Sequence, residues 1–301
     1  MSKMKPFLFS IFHKVARSLT GTGIGKIPGV LAVYAFLFQF LWHKTTVEIE
    51  GSKMYLNPDK LPESYKKTFR SYVMSGRWEA LTTEMFKKVI KEGDTVVDLG
   101  ANIGYYTLLA ARLVGKKGKV YAFEPEPTNY SLLLKNIELN GYDNVFAVQK
   151  AVSNVTGTVR LFLDDKDTGA HTIYQPGGKR KSVEVESITL DEFFKDKKHN
   201  IDVVKIDVEG AEMAALCGMN RIINENEDLK IFVEFYFPGI RRSGDSPEEF
   251  ARKLLEDYRF SILAIGEYTE TKEYLRINSV DELMDLCKGE KTANLFLERG
   301  H

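Results

Sequence analysis

The decapeptide from Thr95 to Gly104, TVVDLGANIG, constrains the fold more than any other stretch of the chain. Its apolar run, Thr95 to Val97, leads through Asp98 into Gly100, Asn102 and Gly104, and Tyr105 to Leu113 then has helical character. A buried strand that enters a glycine turn and then a helix start lets backbone approach a ligand closely and presents free N–H groups at the first helical turn. That is a cradle for a nucleotide-like cofactor. The spacing lacks G-x-G-x-x-G, which disfavours a nicotinamide cofactor.

Strand and helix signals alternate from this point onward. Lys119 to Phe123 reads as a second strand with Glu124 and Pro125 at its carboxyl end, and Val145 to Gln149 as a third. Val203 to Val208, Leu229 to Phe235, Phe260 to Ile265 and Ala293 to Leu297 complete seven. Between them, Tyr130, Leu133, Leu134 and Ile137 recur at helical spacing, and Ser246-Pro247-Glu249 and Ser279-Glu282 are helix-start signatures. Such alternation predicts an α/β fold with a largely parallel sheet, and ligands of such sheets bind beyond the carboxyl ends of the strands. Gly100, Asn102, Glu124, Asp207, Glu209 and Glu234 are thereby expected on one rim. Val155 to Leu190 interrupts the rhythm with alternating segments around Gly169, Pro176, Gly177 and Gly178, an inserted β-hairpin after the third strand. Upstream, Val47 to Leu56 predicts a short hairpin, and Tyr65 to Ile90 has helical character.

Lys plus Arg and Asp plus Glu both number 42 in the 301 residues, so the basic excess that a sequence-independent grip on nucleic acid needs is missing. Cys217 and Cys287 have neither pairing nor metal spacing and read as buried thiols of a reducing compartment. The first 44 residues stand apart: Lys3, Lys5, Lys14, Arg17 and Lys26 precede an uncharged run from Ile27 to Trp42. Sixteen residues fall short of the roughly 20 of a spanning helix. Two readings of 27–42 stay open, a peripheral membrane contact or an apolar helix packed on the domain. The expected organisation is thus an N-terminal helical extension over 1–44 and one catalytic domain over 45–301.

Glu124 lies 24 residues beyond Gly100, where a carboxylate accepts hydrogen bonds from the ribose hydroxyls of an adenosine. Asp98 either caps the turn or meets a cofactor ammonium. In Lys205 to Glu212, KIDVEGAE, the carboxylates of Asp207 and Glu209 frame the strand exit and Gly210 permits a sharp turn. One of them could act as general base, or both could hold a divalent metal. Glu234 would be costly to bury unpaired inside its apolar strand and is expected to face the rim. His171, in GAHTIY of the insertion, is either a base or a solvated loop histidine. Lys179, Arg180 and Lys181 are either a solvated tip or a contact for an anion.

Taken together, VVDLGANIGYYTLLAARLVG, KVYAFEPEPTNYSLLLKNIELN, AVSN and KIDVEGAE resemble the FkbM family of S-adenosyl-L-methionine-dependent methyltransferases, with GRWEALTTEMF and SITLDEFF adding to the match. The resemblance runs from Gly51 to about Tyr258. It implies a seven-stranded, Rossmann-like methyltransferase sheet of order 3-2-1-4-5-7-6 with an antiparallel last strand. It further implies Gly100, Asn102 and Gly104 along the methionine part of the cofactor, Glu124 at the ribose, and Ala151 or Val152 at the adenine. Asp207, Glu209 and Glu234 would face the acceptor, with Glu79 also in reach. Family members largely methylate hydroxyls of sugars, glycolipids and natural products, and Ala170 and His171 replace a serine common in the insertion.

The expectation is an O-methyltransferase acting on a glycan or lipid-linked saccharide, without nucleic acid and without a required metal, in the cytoplasm or at the cytoplasmic membrane face. Two alternatives are a divalent-metal-assisted small-molecule O-methyltransferase and a non-catalytic cofactor-binding assembly partner at a membrane.

Overall fold

The computed structural model describes residues 45–56, 78–197, 200–266, 273–287 and 292–299, with isolated positions between 8 and 37. The chain forms two compact units, one of residues 1–78 with 165–168 and the other of residues 79–164 with 169–301. In the first unit, β1 (Thr45–Ile49) and β2 (Ser52–Leu56) form the expected antiparallel hairpin. Glu50 and Gly51, both at positive φ (47° and 79°), make its two-residue turn. Val47, Ile49 and Met54 are its buried face, the alternation a half-buried hairpin requires. Most of the run 27–42 and all of 65–77 lie outside the described residues, and among those described no helix is long and apolar enough to cross a membrane.

The second unit is built around one sheet. Helix α1 (Ala80–Val89) precedes β3 (Thr95–Leu99), and then come α2 (Tyr105–Val114), β4 (Lys119–Phe123), α3 (Pro127–Asn140) and β5 (Val145–Val148). The insertion contains β6 (Ala151–Val152), β7 (Gly157–Phe162) and β8 (Ser182–Ile188). After α4 (Leu190–Phe193) the main sheet resumes with β9 (Val203–Ile206), α5 (Glu212–Cys217), α6 (Asn220–Glu225), β10 (Lys230–Tyr236), α7 (Phe237–Ser243), α8 (Pro247–Arg252) and β11 (Phe260–Ile265). The chain closes with β12 (Tyr274–Ile277), α9 (Val280–Leu286) and β13 (Thr292–Arg299).

Strand order across the sheet is β5-β4-β3-β9-β10-β13-β11-β12. The first five are parallel, whereas β13 runs antiparallel between β10 and β11. The seven expected strands occupy their expected order, but the sheet has eight: β12 pairs antiparallel along β11, Ile262 opposite Ile277. Its four residues bury little besides Ile277, so the apolar pattern that marks a strand is missing there. The insertion is a β7–β8 hairpin with the two-residue β6 added parallel to β8.

Residues 95–99 of β3 are all buried, as a strand covered on both faces must be. Phe86 of α1 meets Tyr106 of α2 and Phe232 of β10 edge to face, with centroids 5.0 and 5.2 Å apart. Each such ring contributes roughly 1.5–3 kcal/mol on burial. Helix ends follow the sequence signals. Glu126 caps α3 through the Asn129 amide with Pro127 in the first turn, and Gly141 ends it left-handed at φ 63°. Ser246 and Ser279 cap α8 and α9, and the chain after α8 continues as a π-turn over Lys253–Asp257. The consequence for function is that the exits of β3, β4, β9 and β10 lie side by side at the end where such sheets bind ligands.

Candidate active site

The β3–β4 side of this rim is held by backbone. Gly100 and Ala101 donate their amides to the Phe123 carbonyl at 3.0 and 2.9 Å, locking the exits of β3 and β4 together. Asn102 sits at φ 51° and takes the Ile103 amide on Oδ1, and the buried Asn136 amide holds the Ile103 carbonyl at 2.8 Å. Glu124 is buried, its Oε2 accepting the Asn102 amide at 2.8 Å and its Oε1 the Glu126 amide at 2.9 Å. Burial pushes its carboxyl up to about 7 against those two amides. Asp98, also buried, accepts the Thr107 hydroxyl at 2.6 Å, and burial raises its carboxyl while Lys205 and that hydroxyl oppose the rise.

The two glycines of the turn are explained by packing. A Cβ at Gly100 would overlap the Asp207 carbonyl oxygen, and one at Gly104 would come within 2.8 Å of the Leu133 side chain. Both residues also have positive φ, 80° and 103°. Packing thus adds a reason for these glycines: the space a side chain would need is taken by the exit of β9 at Gly100 and by Leu133 of α3 at Gly104.

At the β9 and β10 exits, Asp207, Glu209 and Glu234 have carboxylate oxygens within 4.8 Å of one another. All three are half-buried. Burial drives the Glu234 carboxyl well above its ordinary value, and Asp207, Glu209, Glu212 and Glu79 add to the rise. Burial and these acidic neighbours therefore push the Glu234 carboxyl toward its protonated form. Glu209 and Gly210 turn the chain left-handed at φ 54° and 99°, and Gly210 lies against the backbone of Gly239 in α7. Among the five described non-glycine residues at positive φ, Glu79, Asn102 and Glu209 belong to this rim, the kind of stored strain that collects at functional sites. Glu79, at φ 44°, accepts the Tyr106 hydroxyl at 2.8 Å.

Lys205, Glu212 and Tyr106 join the site without a sequence pattern that marks them as chemical. The Lys205 ammonium is buried, bonds Asp207 Oδ2 at 2.7 Å and lies 4.5 Å from the Tyr106 ring centre. A strand places residues i and i+2 on one face, so the spacing of Lys205 and Asp207 is the signal that could have revealed the pair. Glu212 is a clasp for the turn: its Oε1 accepts the Val208 and Gly210 amides, and burial pushes it up to about 7.

Other expected site residues belong to the insertion and to the β4 exit. His171 is in the insertion, where its Nδ1 accepts the Asp164 amide at 3.0 Å. It is not part of the 4.8 Å carboxylate group. Ala151 packs with Leu161 and Val185, and Val152 with the main core, so both side chains are buried and only their backbone remains for an adenine. Pro125 follows Glu124 at the β4 exit, half-buried. Arg180 pairs with Asp164 at 2.7 Å. Tyr174 of the insertion has its hydroxyl raised by burial and by the charges of Asp245 and Glu212.

The model of the methyltransferase FkbM domain matches residues 98–262, spanning every rim residue from Asp98 to Glu234. The chain belongs to the FkbM methyltransferase family. Its methyl donor is S-adenosylmethionine. This FkbM chain is 32% identical over 200 residues to methyltransferase sdnD of Sordaria araneosa, covering 56% of this chain and 73% of that one. It is 27% identical over 135 residues to the hexuronic acid methyltransferase AglP of Haloferax volcanii, 44% and 53% of the two chains. A solved FkbM methyltransferase from Methylobacillus flagellatus covers 79% of this chain and 56% of its own at 16% identity and a TM-score of 0.41. The donor side fits the cofactor chemically: a buried carboxylate, Glu124, stands where hydroxyls can donate to it, and a second, Asp98, can meet an ammonium.

Proposed function

We propose that this methyltransferase transfers the methyl group to a hydroxyl of a sugar, glycolipid or related glycan. The observation that carries the reading is the trio of Asp207, Glu209 and Glu234 within 4.8 Å at the β9 and β10 exits, beside the glycine turn. The hexuronic acid methyltransferase among its relatives adds support for a saccharide acceptor.

Glu124 would hold the ribose, Asp98 the ammonium and the turn from Gly100 to Gly104 the methionine part of S-adenosylmethionine, which supplies an electrophilic methyl group on a sulfonium. The chain's own task is to orient one acceptor oxygen and take its proton. Asp207 is the proton acceptor in this reading. Its Oδ2 bonds Lys205, which leaves Oδ1 for the acceptor hydroxyl. Glu234, whose carboxyl burial and its acidic neighbours push toward the protonated form, would donate a hydrogen bond to a neighbouring acceptor oxygen, and Glu209 would accept one from a second hydroxyl. A polyol suits a site with one donor carboxyl and two acceptor carboxylates.

The test is a labelled-methyl assay with lipid-linked sugars, free glycans and small polyols offered in parallel. Label in a saccharide at an ether oxygen supports the reading. Label in a non-saccharide acceptor, with none in saccharides, overturns it.

A further inference from the structure

We propose that Lys205 is a positioning residue for methyl transfer, fixing the Asp207 carboxylate in the orientation that receives the acceptor. This rests on Asp207 as the acceptor-facing carboxylate. Lysine is almost never buried unless paired, and here the side chain is 5% exposed in the centre of the sheet. Its surroundings come from four elements. Asp98 of β3 is its register partner across the strand pair, Tyr106 of α2 lies under the ammonium, Asp207 follows at the exit of β9, and Glu79 precedes α1. Burial alone would lower the ammonium's affinity for its proton, yet Asp207, Glu79 and Asp98 together raise it. The ammonium therefore holds its proton more tightly than an ordinary lysine despite its burial.

The geometry gives this charge a task beyond stability. The Asp207 backbone amide is tied to the Leu99 carbonyl at 3.1 Å, and its Oδ2 is tied to Lys205 at 2.7 Å. Main chain and carboxylate are thus both anchored, one to the donor strand and one to a buried cation. Tyr106 extends the chain of contacts, since its ring supports Lys205 while its hydroxyl holds Glu79. Lys205 does not need to touch the acceptor. Its effect on turnover passes through Asp207.

The experiment is a double-mutant cycle on the full chain with Lys205→Met, Lys205→Arg, Asp207→Asn and the paired variants, reading kcat, acceptor KM and cofactor Kd. Lys205→Met is expected to lower kcat about 100-fold, the scale of a misplaced catalytic group, with KM and cofactor Kd within about threefold. Lys205→Arg, which keeps the charge and donors, is expected to lose less. In the Asp207→Asn background both lysine substitutions should change kcat by less than about threefold, because their route is already cut. If the methionine variant is recovered only unfolded, Lys205→Gln carries the same cycle. Wild-type kcat in the neutral variant, or a loss that persists at full size beside Asp207→Asn, overturns the proposal. Full turnover in Asp207→Asn alone instead removes the base assignment on which it rests, so the two failures are distinct.

Discussion

The carbonyl oxygen of Asp207 fills the space that a side chain at Gly100 would need, so the donor turn and the acceptor carboxylate are two sides of one backbone seam. The Asp207 amide completes it by donating to Leu99, the residue before Gly100. In the proposed reaction such a seam would fix the distance between methyl donor and acceptor oxygen before either arrives, which is what an in-line transfer needs.

Gly100→Ala should therefore damage both sides at once. The substitution overlaps main chain that cannot rotate away and forces φ 80° on alanine. The expected cost is about 3 kcal/mol or more, visible as a large fall in thermal midpoint. Gly177→Ala, in the insertion with nothing within 4 Å, should leave the midpoint nearly unchanged. Equal tolerance of both would contradict the seam.

Glu124 and Glu212, both pushed up to about 7 from an ordinary 4.5, predict how stability depends on pH. Their folded values exceed the unfolded ones, so between the two the native state binds more protons. The stability they contribute is present below about 4.5 and is lost as pH rises through about 7. Cofactor affinity should run the opposite way, strengthening as Glu124 ionises and accepts ribose hydroxyls more strongly. Glu124→Gln should flatten the cofactor-affinity profile, measured by calorimetric titration, and weaken the pH dependence of thermal unfolding, with Glu212 retaining its share. A wild-type cofactor Kd that does not change between pH 6 and 8 would count against the ribose role.

Chelation separates two uses of the carboxylate trio. Lys205 already supplies a cation at Asp207, so turnover is expected to be unchanged after treatment with EDTA. Activity that disappears with the chelator and returns with magnesium would assign Asp207, Glu209 and Glu234 as metal ligands instead.

Much of this architecture is legible in the residues because parallel strands bring their exits to one edge, so Gly100, Glu124, Asp207 and Glu234 can be grouped without coordinates. The paired capping signatures at Ser246 and Ser279 likewise mark helix starts that the structure shows. Contacts that cross between elements are less visible. Gly100 reads as a ligand-facing glycine in isolation, and only the neighbouring strand reveals that the Asp207 carbonyl also occupies the place of a side chain there. Lys205 looks like a polar interruption of a strand until Tyr106 and Asp98 close around it. The edge strand Tyr274–Ile277 escapes because an edge can pair with little burial.

Asp207→Asn probes the base assignment at its root. With the acceptor identified by the labelled-methyl assay, kcat is expected to fall by about 100-fold or more while the cofactor Kd, measured on the same preparation, stays within about threefold of wild type. Full turnover in that variant would contradict Asp207 as the proton acceptor.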